Sequence, residues 1–150
     1  MKVSQWNLGG LYASAEDPAW AADLAQAAAG AEPFRIDFRG KVASAEADCL
    51  AAALVRYEAL QRALLQPYAY AQLLFAADSR VPAHGALLAR AREAYATVSE
   101  QTLFFELEVL LIPAKRFAAL VQEPGISPYG HFLERLRVTA PYTLSEEVEQ

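Results

Sequence analysis

Sulfur and imidazole are nearly absent: the 150 residues hold one cysteine, Cys49, one methionine and two histidines, His84 and His131. A lone cysteine forms no internal disulfide, which fits a reducing, cytoplasmic setting. Two histidines on separate elements do not make the pair four residues apart that a zinc-peptidase helix needs, because only that spacing puts both imidazoles on one face. No uncharged apolar run is long enough for a membrane span. The opening residues Met1-Lys2-Val3-Ser4-Gln5-Trp6-Asn7 lack the apolar core of a secretory signal. Basic excess is missing as well. The formal net charge is −5, with Lys and Arg interleaved among Asp and Glu, so no stripe exists that could neutralise successive phosphates and nucleic acid is not an expected partner.

Valine, isoleucine and threonine are sparse, whereas alanine and leucine dominate. That balance favours helix over strand. With 55% apolar and 21% charged residues, the length suits one ordinary globular domain spanning 1–150.

Prolines and glycines divide the chain. Asp17-Pro18 reads as a cap and first-turn pair, and the alanine-rich stretch after it ends near Gly30. Phe34, Ile36 and Phe38 alternate with polar neighbours, but no partner strand is evident, so the segment reads as helix or irregular. Between Ser44 and Gln66, Leu50, Leu54, Tyr57 and Leu64 recur at helical steps opposite Arg56, Glu58, Gln61 and Arg62. Pro67 is expected to punctuate this helix, with a shorter one from Tyr68 to Asp78. Val81-Pro82 opens the longest periodic run, whose core stripe is Leu87, Ala91, Tyr95, Val98, Thr102, Phe105, Val109 and Ile112. Pro113 ends it. A short helix from Ala114 to Gln122, a Pro124-Gly125 turn and a last helix from about Pro128 to Val138 complete the pattern. The expected fold is an all-α, up-and-down bundle of about six helices, including one long helix.

After Pro141, the run Thr143-Leu144-Ser145-Glu146-Glu147-Val148-Glu149 reads as a cap hydroxyl, Thr143 or Ser145, followed by an acidic first turn. A helix that opens just before Gln150 suggests that the chain is the front part of a longer protein.

Catalytic, cofactor-binding and metal-ligating residues are not found. His131 and Glu134 lie one turn apart, but a di-metal bundle needs a second such pair and two more inward glutamates. Cys49, beside Leu50 and Ala53, reads as a buried inert thiol. The serines lack a glycine-elbow context, and Gly9-Gly10 alone makes no phosphate loop. Glu108 stands apart, because its three- and four-residue neighbours Phe104, Phe105, Leu111 and Ile112 are all apolar. It should find a partner, with Arg56, Arg135 and Tyr57 as candidates, while Glu106 should be exposed. Tyr68 and Tyr70, near Pro67, read as core or as the lining of a peptide groove.

A set of landmarks nevertheless occurs in a recognisable order. Trp6-Asn7-Leu8 with Leu11-Tyr12, Phe38-Arg39-Gly40-Lys41, Tyr57-Glu58, Tyr70-Ala71 with Leu73 and Asp78, Phe104-Phe105-Glu106-Leu107-Glu108 and Pro141-Tyr142-Thr143-Leu144-Ser145-Glu146 together resemble the N-terminal helical region of the oligoendopeptidase F family. The resemblance covers nearly the whole chain. It implies a zinc metalloendopeptidase that cleaves short peptides in a channel, with this region as wall or lid. The zinc ligands and general base of that family come from a His-Glu-x-x-His helix and a downstream glutamate that have no counterpart here. The partners so implied are a missing catalytic domain and short peptides, with zinc bound elsewhere in the full-length protein. The contrasting expectation is a free-standing helical interaction module that binds a partner, or pairs as a homodimer, through an exposed apolar face.

Overall fold

Six α-helices follow one another along the chain in a computed structural model that describes the backbone of residues 7–148 and side chains to residue 141. They are α1 (Pro18–Ala29), α2 (Ala31–Phe38), α3 (Ala47–Ala77), α4 (Pro82–Leu110), α5 (Ala114–Leu120) and α6 (Gly130–Val148), with a short 3₁₀ turn at Ser127–Tyr129 before α6. Among the described residues there is no strand, so the chain is all-α. The longest helices are α3, with 31 residues, and α4, with 29.

Local signals explain most boundaries. Asp17 caps α1 by accepting from the Ala19 N–H, Pro18 supplies the first-turn φ, and Gly30 follows the last turn. A Cβ at Gly30 would meet Leu60 Cδ2 at 2.6 Å, so a larger residue at the end of α1 would require the tip of the Leu60 side chain on α3 to shift. The segment holding Phe34, Ile36 and Phe38 is helical. Its alternation of apolar and polar residues misleads because Phe34 and Phe38, one turn apart, are buried while Ile36 is exposed.

Pro67 and Pro141 do not act as stops. The expected break at Pro67 is absent, and α3 runs through it with Leu64, Tyr70 and Ala71 buried on its flanks. Proline removes one N–H and its ring crowds the preceding turn, but its φ is helical, so burial on both sides carries the helix past it. Likewise α6 continues through Pro141, and the backbone at 142–148 is helical. Thr143 and Ser145 therefore do not begin a new helix. Trp6, Glu149 and Gln150 lie outside the described residues.

The chain forms two units by internal packing. The first comprises residues 7–33 and 58–101, and the second residues 34–57 and 102–148. In the first, Tyr12, Trp20, Leu24, Ala27 and Ala31 bury against Leu64, Tyr70 and Ala71 of α3 and Leu87, Leu88, Ala91 and Val98 of α4. Small alanines let these helices approach closely. In the second, Phe34 is the centre of an aromatic cluster, with ring centroids 5.2 Å from Phe38, 6.0 Å from Tyr57, 5.6 Å from Phe104 and 5.7 Å from Phe105. Tyr57 stacks on Phe105 at 4.7 Å and on Phe132 at 5.9 Å. Spacings of this size are those of offset and edge-on ring pairs. The stripe expected on α4 is buried at Leu87, Ala91, Val98, Thr102, Phe105 and Val109, and Ile112 beyond its end is buried too; Tyr95 is the exception, at 46% exposed.

Candidate functional site

In the second unit the polar groups grip the backbone. Glu108 is half-buried, and its carboxylate accepts from the Gly40 N–H at 2.6 Å and the Val42 N–H at 2.9 Å. The partner is thus the loop after α2, not Arg56, Arg135 or Tyr57. Two amides can satisfy a carboxylate as well as a cation does, because each bond to a charged acceptor is stronger than a neutral one. Gly40 has φ +79°, a left-handed conformation that turns the loop toward Glu108. Tyr57 instead donates its hydroxyl to Glu106 at 2.5 Å, so Glu106 is half-buried and bonded where exposure was expected. Arg56 pairs with Asp37 and lies over the Phe38 ring at 5.1 Å. Arg135 is exposed.

Two arginines close helix ends in the same unit. Arg137 donates to the Val109 carbonyl in the last turn of α4 and to the Ile112 carbonyl just after it, with its guanidinium 3.9 Å from the Phe117 ring centroid. Its Nε is buried without a hydrogen-bond partner among the described residues, and desolvation lowers its pKa. Arg116 donates to the Ser44 and Ala45 carbonyls ahead of α3.

The first unit holds a cleft of about 840 Å³ between the 8–16 segment, the end of α3 and the start of α4. Its walls include Tyr12, Glu16, Tyr70, Asp78, Arg80 and His84. Tyr12 meets Tyr70 edge-on at 5.0 Å and donates to Asp23 at 2.7 Å. Burial, then the bond to Asp23, pushes the Tyr12 pKa up; burial also raises that of Tyr70. Arg80 forks onto both carboxylate oxygens of Asp78 at 2.9 and 3.1 Å, which lowers the Asp78 pKa. His84 Nδ1 lies 2.9 Å from the Asp78 carbonyl. Such a corner is already paired within itself. A smaller hollow of about 270 Å³ is lined by Tyr68, Tyr95 and Leu65 among others, with the two tyrosine rings 5.4 Å apart. Tyr68 therefore faces a groove, while Tyr70 is core and an edge of the larger cleft.

Elsewhere the candidates stay apart. His131 and Glu134 are both exposed on α6, and His84 belongs to the other unit. Cys49 is half-buried, not fully buried, because it sits on the rim of α3 next to core residue Leu50. No group of three or more His, Cys, Asp or Glu able to hold a metal ion comes together among the described residues. A zinc ion implied by the family thus finds no fitting donor set in them. No helix of the described residues is long and apolar enough to cross a membrane. Sequence reasoning missed the 8–16 cleft wall; its one signal was the Asp78-Ser79-Arg80 turn, whose acid and base sit two residues apart.

The class defined so far is an all-α helical region. A family profile described as Oligopeptidase F matches residues 108–150. The Group B oligopeptidase PepB of Streptococcus agalactiae serotype III (strain NEM316) is 26% identical over 147 residues, covering 97% of this chain and 24% of PepB. The chain thus spans about a quarter of the length of that curated relative. No solved structure matches significantly. Both matches agree with the resemblance read from the sequence: the chain is similar to the N-terminal region of the oligopeptidase F family.

Proposed function

We propose that this chain is the N-terminal, substrate-enclosing part of a cytoplasmic oligoendopeptidase F-like zinc metalloendopeptidase that hydrolyses short peptides. The observation that carries this reading is the likeness of 97% of the chain to one quarter of an oligopeptidase. A region matched along its whole length to a fraction of a larger enzyme takes its role from the remainder. In that remainder a zinc ion held by a His-Glu-x-x-His helix would lower the pKa of a bound water and polarise the scissile carbonyl. The residues described here supply neither ligand nor base. Their part is steric: rigid helices forming wall or lid, so that only short, flexible peptides reach the metal. The Tyr68–Tyr95 hollow offers an aromatic surface of the kind extended peptides pack on.

The runner-up is a free-standing helical module that binds a partner through its exposed leucines. The reading frame beyond Gln150 separates the two. Continuation into a zinc helix, with chelator-sensitive cleavage of short peptides by the whole product, supports the peptidase reading. A stop codon at that point, or a product that cleaves nothing, overturns it.

A further inference from the structure

Leu103, Leu107 and Leu111 follow each other at four-residue steps along the end of α4 and just past it, and are 50%, 48% and 70% exposed. Four-residue steps place them on one side of the helix, while Thr102, Phe105 and Val109 are buried. A surface helix ordinarily presents charge outward and leucine inward. Here the charges beside Leu107 in sequence are turned away. Glu106 accepts from Tyr57, and Glu108 is held by the Gly40 and Val42 amides. Phe104 and Leu110, the three-residue neighbours of Leu107, are half-buried and apolar, and the exposed Glu100, one turn before Leu103, borders the stripe at its N-terminal end.

Exposed apolar stripes of this kind mark interaction surfaces. The chain accounts for only 24% of the oligopeptidase it matches, and the family profile match begins at Glu108, within the stripe. Resting on the peptidase reading, we propose that the Leu103–Leu107–Leu111 face is the docking surface for the polypeptide corresponding to the other three quarters of that relative. On this account Glu106 and Glu108 serve twice: they tie the second unit together, and they keep charge off the docking face. Burying three leucine side chains supplies an apolar centre of the sort that holds non-exchanging lobes together.

The test is thiol protection in two proteins, the 150-residue chain and the whole product of its reading frame, each carrying Leu107→Cys in a Cys49→Ala background. Maleimide labelling is expected to be fast in the short chain and slower by about tenfold or more in the long one, as burial behind a cooperative unit demands. As a second measurement, Leu107→Glu should lower the Tm of the whole protein and leave that of the short chain unchanged. Equal labelling in both proteins overturns the docking face. So does protection in the short chain that is lost on dilution, which assigns the stripe to a second copy. A continuation without His-Glu-x-x-His sinks the peptidase reading, whereas one that carries it beside an unprotected thiol sinks the docking face alone.

Discussion

The two units are built from the same long helices by different means. The first is held by small and aliphatic residues around Trp20, whose indole N–H donates to the Pro67 carbonyl at 2.9 Å. Two of its acids sit at a cap and a turn: Asp17 accepts from the Ala13 and Ala19 amides, and Asp78 binds Arg80. The second is held by face-and-edge aromatic packing around Phe34 and by side chains that bind backbone, Glu108 on amides and Arg137 and Arg116 on carbonyls. Alanines in the core of the first unit let its helices approach closely. Large rings keep helices apart and leave loop and helix-end groups to be satisfied by long charged side chains.

Truncation in the ring cluster is the strongest way to break that contrast. Phe34→Ala should destabilise by about 3–5 kcal/mol in chemical denaturation, because the removed ring leaves a cavity shared by four neighbours. Glu108→Ala should cost about 1–3 kcal/mol and raise hydrogen exchange at Gly40 and Val42 specifically, while Glu108→Gln keeps an acceptor and loses less. The matching change in the first unit, Trp20→Phe, should cost about 1–3 kcal/mol by removing the buried donor to Pro67.

Acid and alkali both probe the first unit. The Tyr12 pKa is raised in the folded state, so its contribution is complete below the ordinary value of 10.0 and is lost as pH rises above it toward the folded value. Tyr12→Phe should flatten that alkaline limb. The Asp17 pKa is lowered by the Ala13 and Ala19 amides, so its contribution is present above 3.8 and is lost as pH falls through the folded value; Asp17→Asn should remove that dependence. The smallest effect is expected at the exposed leucines, where Leu107→Glu in the 150-residue chain should change stability by less than about 0.5 kcal/mol.

Helical periodicity made the core of α4 legible almost residue by residue, because burial on one side of a helix repeats every three to four positions. Tyr95 escaped that pattern because its ring packs beside Tyr68 at the surface. Proline positions were less legible: whether Pro67 stops a helix depends on what packs on either side, which sequence spacing does not record. Glu108 was recognised as a group in need of a partner, but the partner is backbone, and amides carry no side-chain signature. The cleft beside His84 was hidden for the same reason, since half of its wall is the irregular 8–16 segment. The landmark order carried the resemblance to oligopeptidase F, and the matches to oligopeptidases agree with it.

We propose that these residues enclose a peptidase site without performing its chemistry. The most direct test is hydrolysis of a quenched short peptide by the purified 150-residue chain with added zinc, beside the whole product of the reading frame. The account predicts no turnover above buffer for the chain and chelator-sensitive turnover for the whole protein. Zinc-dependent cleavage by the chain alone would contradict it.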